Sequence, residues 1–224
     1  MQACLSSVAD CRPMPPSLIL FDLDGTLSDP QVGITRSINH ALRAHGHAER
    51  SVAELLPCIG PPLDESFRAL TGRHDDAHVH ALVHSYRERY GQVGYAENEL
   101  YPEVAETIAA LTQRGARLGL CTSKRVDFAE MILKLFGLRE HFGLISGGEI
   151  GLQKWQQMAA LKAAGRLPPD TLMIGDRAVD LVAAHRNGLR SGAVMWGHGS
   201  REELMAEAPH LVFERPRDWL GLLA

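Results

Sequence analysis

The chain has 224 residues, enough for one large domain or a core with a modest insertion and too few for an array of modules. Apolar residues make up 45% and charged residues 22%, globular proportions that exclude a disordered chain, and a chain of this size buries roughly 70 to 75% of its unfolded surface. With 23 basic against 27 acidic residues, the formal charge of −4 offers no electrostatic footprint for a polyanion, so nucleic acid is not an expected partner.

The first sixteen residues reach Arg12 before meeting a basic side chain and then run into Pro13, Pro15 and Pro16. They lack the basic start and apolar centre of a signal peptide and read as a disordered lead. Cys4, Cys11, Cys58 and Cys121 show no CxxC spacing, and a chain this long needs no disulfide framework, so they read as reduced thiols of a cytoplasmic protein. No apolar run approaches the roughly 20 residues needed to cross a bilayer, and no membrane is expected as a partner.

Short apolar runs bounded by polar residues or glycine predict strands at Leu18 to Phe21, Arg117 to Cys121, Phe142 to Ile145, Thr171 to Ile174, Gly192 to Met195 and Leu211 to Phe213. Directly after the first strand only helical periods occur. Ile34, Ile38, Ala41, Leu42 and His45 mark one face ended by Gly46; Ser51 with Glu54 opens a second helix; Val79, Leu82, Val83, Tyr86 and Tyr90 mark a longer one. Pro102 suits the first turn of a helix carrying Ile108 and Leu111, and Phe128, Met131, Ile132 and Leu135 form an apolar stripe closed by Gly137. Ser200 with Glu203 carries a capping-box pattern. From residue 100 onward strand and helix alternate, which predicts an α/β fold with a Rossmann-like parallel sheet covered by helices on both faces. Residues 17–28 and 99–224 form the expected core, and 29–98 an all-helical cap over the carboxyl edge of the sheet, where ligands of open α/β folds bind.

The chemistry-bearing residues sit where strands end. The first strand runs into Asp22-Leu23-Asp24-Gly25-Thr26, whose carboxylates at i and i+2 both reach the crevice. A calcium loop starting at Asp22 fails, because its twelfth position is Gly33 where a bidentate Glu is required. The fourth strand runs into Gly175-Asp176, followed by Asp180. Four converging carboxylates would repel one another by several kcal/mol per close pair at an effective dielectric near 20, so a cation must sit among them, and hard oxygen ligands favour magnesium. Thr122, Ser123 and Lys124 follow the second strand, and Lys154 opens the helix after the third. Lysine is scarce, with only Lys124, Lys134, Lys154 and Lys162 in the chain, which gives weight to two of them at strand-to-helix junctions. Together these ends present acids, hydroxyls and ammonium groups in a crevice suited to phosphate.

These residues resemble the four motifs of the haloacid dehalogenase superfamily, in the family's order: Asp22 to Thr26, Thr122-Ser123, Lys154, and Gly175-Asp176 through Asp180. The resemblance covers nearly the whole chain from residue 17. It is closest to the phosphoglycolate phosphatase-like branch with a helical cap, through Asp29-Pro30, Gly33-Ile34, Ile59 to Leu63 and Trp196 to Ser200. It implies a magnesium-dependent phosphomonoesterase acting on a small phosphorylated metabolite, phosphoglycolate or a nucleoside 5′-monophosphate. Asp22 would be the nucleophile that forms an aspartyl-phosphate and Asp24 the general acid and base. Thr122, Ser123 and Lys154 would hold the phosphoryl oxygens. Asp22, the Asp24 carbonyl and Asp176 would bind magnesium, with Asp180 behind them.

Other chemistries of the superfamily are separable by residue type. A phosphonate-cleaving relative needs a cap lysine, and residues 29 to 123 contain none. A dehalogenase needs neither Asp24 nor a metal. A sugar phosphomutase shares the core chemistry and stays open as an alternative, as does a phospho-acceptor receiver domain, whose acids lie on other strands. His74, His78, His80 and His84 read as a solvated helix face, Trp196 and His198 as loop structure near the crevice, and Arg177 as a surface or hinge residue. Oligomeric state, monomer or homodimer, is not legible.

Overall fold

The computed structural model describes residues 15–223, so the expected lead over 1–16 lies, but for its last two prolines, outside the described residues. In chain order the elements are β1 (Ile19–Phe21), β2 (Ser28–Asp29), α1 (Gln31–Ala44), α2 (Val52–Leu55), α3 (Leu63–Thr71), α4 (Asp76–Gln92), β3 (Glu99–Leu100), α5 (Val104–Gln113), β4 (Leu118–Cys121), α6 (Val126–Leu135), β5 (Phe142–Ser146), α7 (Lys154–Ala163), β6 (Leu172–Gly175), α8 (Ala178–Arg186), β7 (Arg190–Val194), α9 (Arg201–Ala206) and β8 (Leu211–Phe213).

Six strands form one sheet in the order β5-β4-β1-β6-β7-β8, every neighbouring pair parallel, which is the α/β architecture expected. Alternation along β1 sends Ile19 and Phe21 to one face and Leu18 and Leu20 to the other, and all four are buried, because helices cover both faces. β6 repeats the pattern, with Leu172 and Ile174 on the Phe21 side and Met173 on the opposite side. The chain builds outward from β1 in both directions, so the ends of β1, β4 and β6 open into one crevice.

Between β1 and the rest of the sheet the chain leaves through β2 and returns through β3, which pair antiparallel with Ser28 opposite Leu100. Helices α1 to α4 lie between them, and α4 packs on both α1 and α3. Val79, Leu82, Val83, Tyr86 and Tyr90 of α4 are all buried, as their spacing predicts. Their packing merges with the Phe21 side of the sheet into one apolar cluster.

Several local expectations change. Sequence periodicity does not predict α3, in which buried Asp64 and Ser66 replace apolar residues and Asp64 accepts from Arg68 at 2.6 Å. α5 begins at Val104 rather than at Pro102, because Glu103 adopts a left-handed φ of 67° and its carboxylate pairs with Arg217. At Ser200 half of the capping box forms: the hydroxyl accepts from Glu203 N at 3.0 Å, while Glu203 Oε1 is taken by Arg177 Nε and Ala178 N. Among the described residues no helix is long and apolar enough to cross a membrane.

Trp219 closes the Phe21 side of the sheet, fully buried, with its ring centroid 4.7 Å from Phe21 and 5.5 Å from Trp196. Its indole Nε1 has no hydrogen-bond partner. Trp219→Ala should therefore lower the unfolding free energy by about 3–5 kcal/mol in urea titrations, and Trp219→Phe by under about 2 kcal/mol, since phenylalanine keeps most of the packing and removes the unpaired donor. Equal losses in the two variants would contradict this account of the core.

Candidate active site

Parallel pairing delivers the acids to one edge. Asp22 N donates to Ile174 O at 2.9 Å, which sets the residue immediately beyond β1 in register with the end of β6. Asp22, Asp24, Asp176 and Asp180 are all buried, and carboxylate oxygens of Asp22, Asp176 and Asp180 lie within 4.8 Å of one another. Lys154, the first residue of α7, is buried with them; its ammonium donates to Asp180 Oδ1 and stands 3.1 Å from Asp22 Oδ1. Burial favours loss of the lysine proton, but Asp180 and Asp22 outweigh it and hold the ammonium above its ordinary range.

Asp176 is gripped from two loops. Its Oδ1 accepts from the Thr26 hydroxyl at 3.3 Å and its Oδ2 from His198 N at 2.8 Å. Gly25 has φ +83°, and a Cβ there would stand 2.1 Å from Asp176 Oδ2; a Cβ on Gly197 would stand 2.3 Å from Asp176 Cβ. Only bare backbone fits on either side of this carboxylate. Burial, with Asp180 and Asp22 adding to it, raises the Asp176 carboxyl well above the usual range. Burial likewise pushes Asp180 up to about 6, against the pull of Lys154.

Four buried carboxylates against the ammonium groups of Lys154 and Lys124 leave a formal charge of 2 − 4 = −2. The donors are all oxygens, one triad of them lies within a few ångströms, and the deficit is two charges, so the residues fit a hard divalent cation.

Asp24 faces away from that triad. Its Oδ2 lies 2.8 Å from Lys124 Nζ, which in turn donates to the Tyr90 hydroxyl at 2.9 Å, while its Oδ1 is buried with no hydrogen-bond partner. Burial raises the Asp24 carboxyl above its ordinary value although Lys124 opposes it. Asp22, Asp24, Thr122, Ser123 and Lys124 all line one void, whose far wall is built from α4 and the turn before α3. Gln157 holds the Thr122 turn in place, its Nε2 donating to Ser146 Oγ at 2.8 Å and to Thr122 O at 3.4 Å.

The structure thus brings Asp22, Asp176, Asp180 and Lys154 into one cluster and sets Asp24, Thr122 and Ser123 on the void beside it. Three contacts were not legible in the sequence. Tyr90, which reads as packing, touches Lys124; Gln153 Nε2 donates to Glu65 at 2.7 Å; and Arg177 Nη1 donates to Ile59 O at 2.6 Å, so Arg177 straps the turn before α3 to the residue after Asp176. Trp196 Nε1 donates to Thr26 O at 3.1 Å, and His198 Nε2 lies 3.3 Å from Asp29 Oδ1, so both are built into the loops that hold Asp176. His74, His80 and His84 are exposed, whereas His78 pairs with His47, Nε2 to Nε2, at 2.8 Å.

Comparisons with known proteins agree with this geometry. The sequence profile of the family described as haloacid dehalogenase-like hydrolase matches residues 19–194. A Pseudomonas aeruginosa protein named 5′-nucleotidase is 40% identical over 195 residues, covering 85% of this chain and 88% of its own. A Mycobacterium tuberculosis protein named tyrosine-protein kinase PtkA is 36% identical over 82% of this chain, which spans 64% of that protein's length. Among solved structures, a predicted phosphatase from Clostridium acetobutylicum superposes with a TM-score of 0.85 at 29% identity, over 92% of this chain and 99% of that one. The chain belongs to the haloacid dehalogenase-like hydrolases and is a phosphatase of that family.

Proposed function

We propose that the protein is a magnesium-dependent phosphomonoesterase that hydrolyses a small phosphorylated metabolite, phosphoglycolate-like or a nucleoside 5′-monophosphate, through an aspartyl-phosphate on Asp22. The observation that carries the reading is the separation of two neighbouring acids into different surroundings. Asp22 stands beside Lys154 and the carboxylate triad, whereas Asp24 is held by Lys124 with a raised carboxyl pKa. Acids kept apart in this way suit different steps. Residues 29–98 are the cap in this reading, and 17–28 with 99–224 the catalytic core.

A carboxylate oxygen of Asp22 attacks phosphorus, and the bond from phosphorus to the ester oxygen breaks. Asp24 gives its proton to the departing oxygen, which is where a carboxyl whose pKa is lifted by burial is useful. A water molecule then attacks the phosphorus. Asp24 takes its proton, the bond to Asp22 breaks, and inorganic phosphate leaves with both acids restored. Thr122, Ser123 and Lys154 hold the phosphoryl oxygens throughout. Magnesium would be held by Asp22, the Asp24 carbonyl and Asp176, with Asp180 behind, and would supply the positive charge that lets one anion approach another. The free thiols of Cys58 and Cys121 suit a reducing cytoplasm.

Asp22→Asn should abolish phosphate release from p-nitrophenyl phosphate, and no phosphoenzyme should be trapped by acid quench. Asp24→Ala should cut turnover by about 10²- to 10⁴-fold while phosphoenzyme from an ester with a good leaving group still accumulates. Phosphate release that survives Asp22→Asn would sink the mechanism.

The carboxyl shifts give a second test. Groups whose pKa is raised by folding bind protons in the folded state, so in EDTA the folded state should lose stability as pH rises from about 4 through the value of about 6 at Asp180. A divalent cation displaces those protons and removes the repulsion. The gain in Tm on adding magnesium should therefore be larger at pH 7.5 than at pH 5, at about 2–4 °C per kcal/mol for a chain of this size. An equal gain at both pH values would mean that the cation binds elsewhere.

A further inference from the structure

The void beside Asp22 runs from the strand ends to the face of α4. Its wall opposite the strand ends carries Tyr86, Arg87 and Tyr90 of α4, with Arg125 and Phe128 on the near side. The three cations on this lining are not equivalent. Lys124 is committed to Asp24 and Tyr90. Arg125 is committed to Asp127, with two bonds of 2.9 and 2.6 Å. Arg87 is half-buried and, among the described residues, no carboxylate stands within ion-pair distance of it and no hydrogen bond engages it.

That absence is unusual within this molecule. The half-buried arginines Arg68, Arg89, Arg139 and Arg177 each hold a carboxylate. Arg190, which holds none, opens β7 at the opposite edge of the sheet. Arg87 thus faces the void with its five donors unspent, against apolar walls and beside a second guanidinium that repels it. An arginine held this way lacks one partner, an anion with two oxygens for its planar fork.

We propose that Arg87, with Arg125 beside it, is the docking point for a second anionic group, a carboxylate or a phosphate, carried on the leaving group of the ester whose phosphoryl group reacts at Asp22. The proposal rests on the phosphatase reading and narrows it: the substrate is charged at both ends, and a neutral sugar or nucleoside is disfavoured as leaving group. The aromatic rings Tyr86 and Tyr90, stacked at 5.3 Å, wall the space between the two charges. Their low polarity strengthens the attraction at the far end.

The test compares kcat/KM for esters matched except at the far end. 3-Phosphoglycerate against glycerol 1-phosphate reads a carboxylate, propane-1,3-diol bisphosphate against propyl phosphate reads a phosphate, and uridine 5′-monophosphate serves as the neutral-base arm. The wild type should prefer at least one doubly charged ester by tenfold or more, and whichever pair shows it identifies the anion. Arg87→Gln should cut that preference at least tenfold, mainly through KM, with Arg87→Met as a second neutral variant should the first fold poorly, and Arg87→Lys should retain part of it. A wild-type preference within twofold in both pairs would overturn the proposal, as would a preference untouched by both neutral variants, or best turnover of uridine 5′-monophosphate. Absence of phosphate release from every ester, p-nitrophenyl phosphate included, would instead bring down the phosphatase reading, and the proposal with it.

Discussion

The contact of the Lys154 ammonium with Asp180 and Asp22 is the interaction on which the rest of the site depends. Each partner alone would be a buried charge costing several kcal/mol, and removal of any one leaves the others uncompensated. Together they tie three pieces of chain: the turn after β1, the start of α7 and the first turn of α8. The register of β1 with β6 is what brings these pieces within reach, since a shift by one residue would turn Asp22 toward the other face. Burial and the crowding of like charges raise the carboxyl groups of Asp176 and Asp180 above their ordinary range. A divalent cation relieves that crowding without protonating the acids. The same electrostatic deficit accounts for the raised carboxyl groups and for the fit of the oxygen-only donor set to a divalent cation.

Much of the fold follows from patterns visible in the chain. Six apolar runs form the sheet, and because all six strands are parallel, the charged residues that follow β1, β4 and β6 share one edge. The stripe on α4 is buried as its period predicts, whereas on α6 only Phe128 and Ile132 of the expected stripe are buried, Ala129 and Leu133 join them, and Leu135 is exposed. Failures occur where a local pattern is overridden by a distant partner. α3 hides because Asp64 and Ser66 occupy its buried face, a choice that makes sense only with Arg68 satisfying Asp64. β2 and β3 are two residues each, too short for any period to register. Lys124 is conspicuous as one of few lysines, yet its partners Asp24 and Tyr90 lie 100 and 34 positions away in the chain, and no spacing rule joins them. Arg87 is invisible for the opposite reason: its meaning lies in what it does not touch.

The helical stretch between β2 and β3 is fastened to the sheet edge by polar contacts from three different strand ends. Lys124 after β4 reaches Tyr90, Gln153 before α7 reaches Glu65, and Arg177 after β6 reaches Ile59 O. Each fastening residue is a chain neighbour of a group in the charged cluster or of a hydroxyl on the void. The position of the helices and the position of the reactive groups are therefore set by shared backbone. Displacing the helices would break these bonds and expose Asp24 and Lys124 to water, where their mutual attraction is several-fold weaker.

Arg87 and Tyr90 stand three residues apart on α4, on adjoining positions of one helix face. An anion seated at Arg87 is therefore at a fixed distance from the hydroxyl that holds Lys124, and through Lys124 from Asp24. Chemistry at phosphorus needs only the strand ends, which treat every phosphate ester alike. Discrimination among esters has to come from groups that touch the leaving portion, and under the proposed function those groups would be carried by α4, the helix whose Tyr90 also holds Lys124 beside Asp24. On the proposed reading, a leaving group anchored at Arg87 would run past Tyr90 toward Lys124 and Asp24, which line the same void.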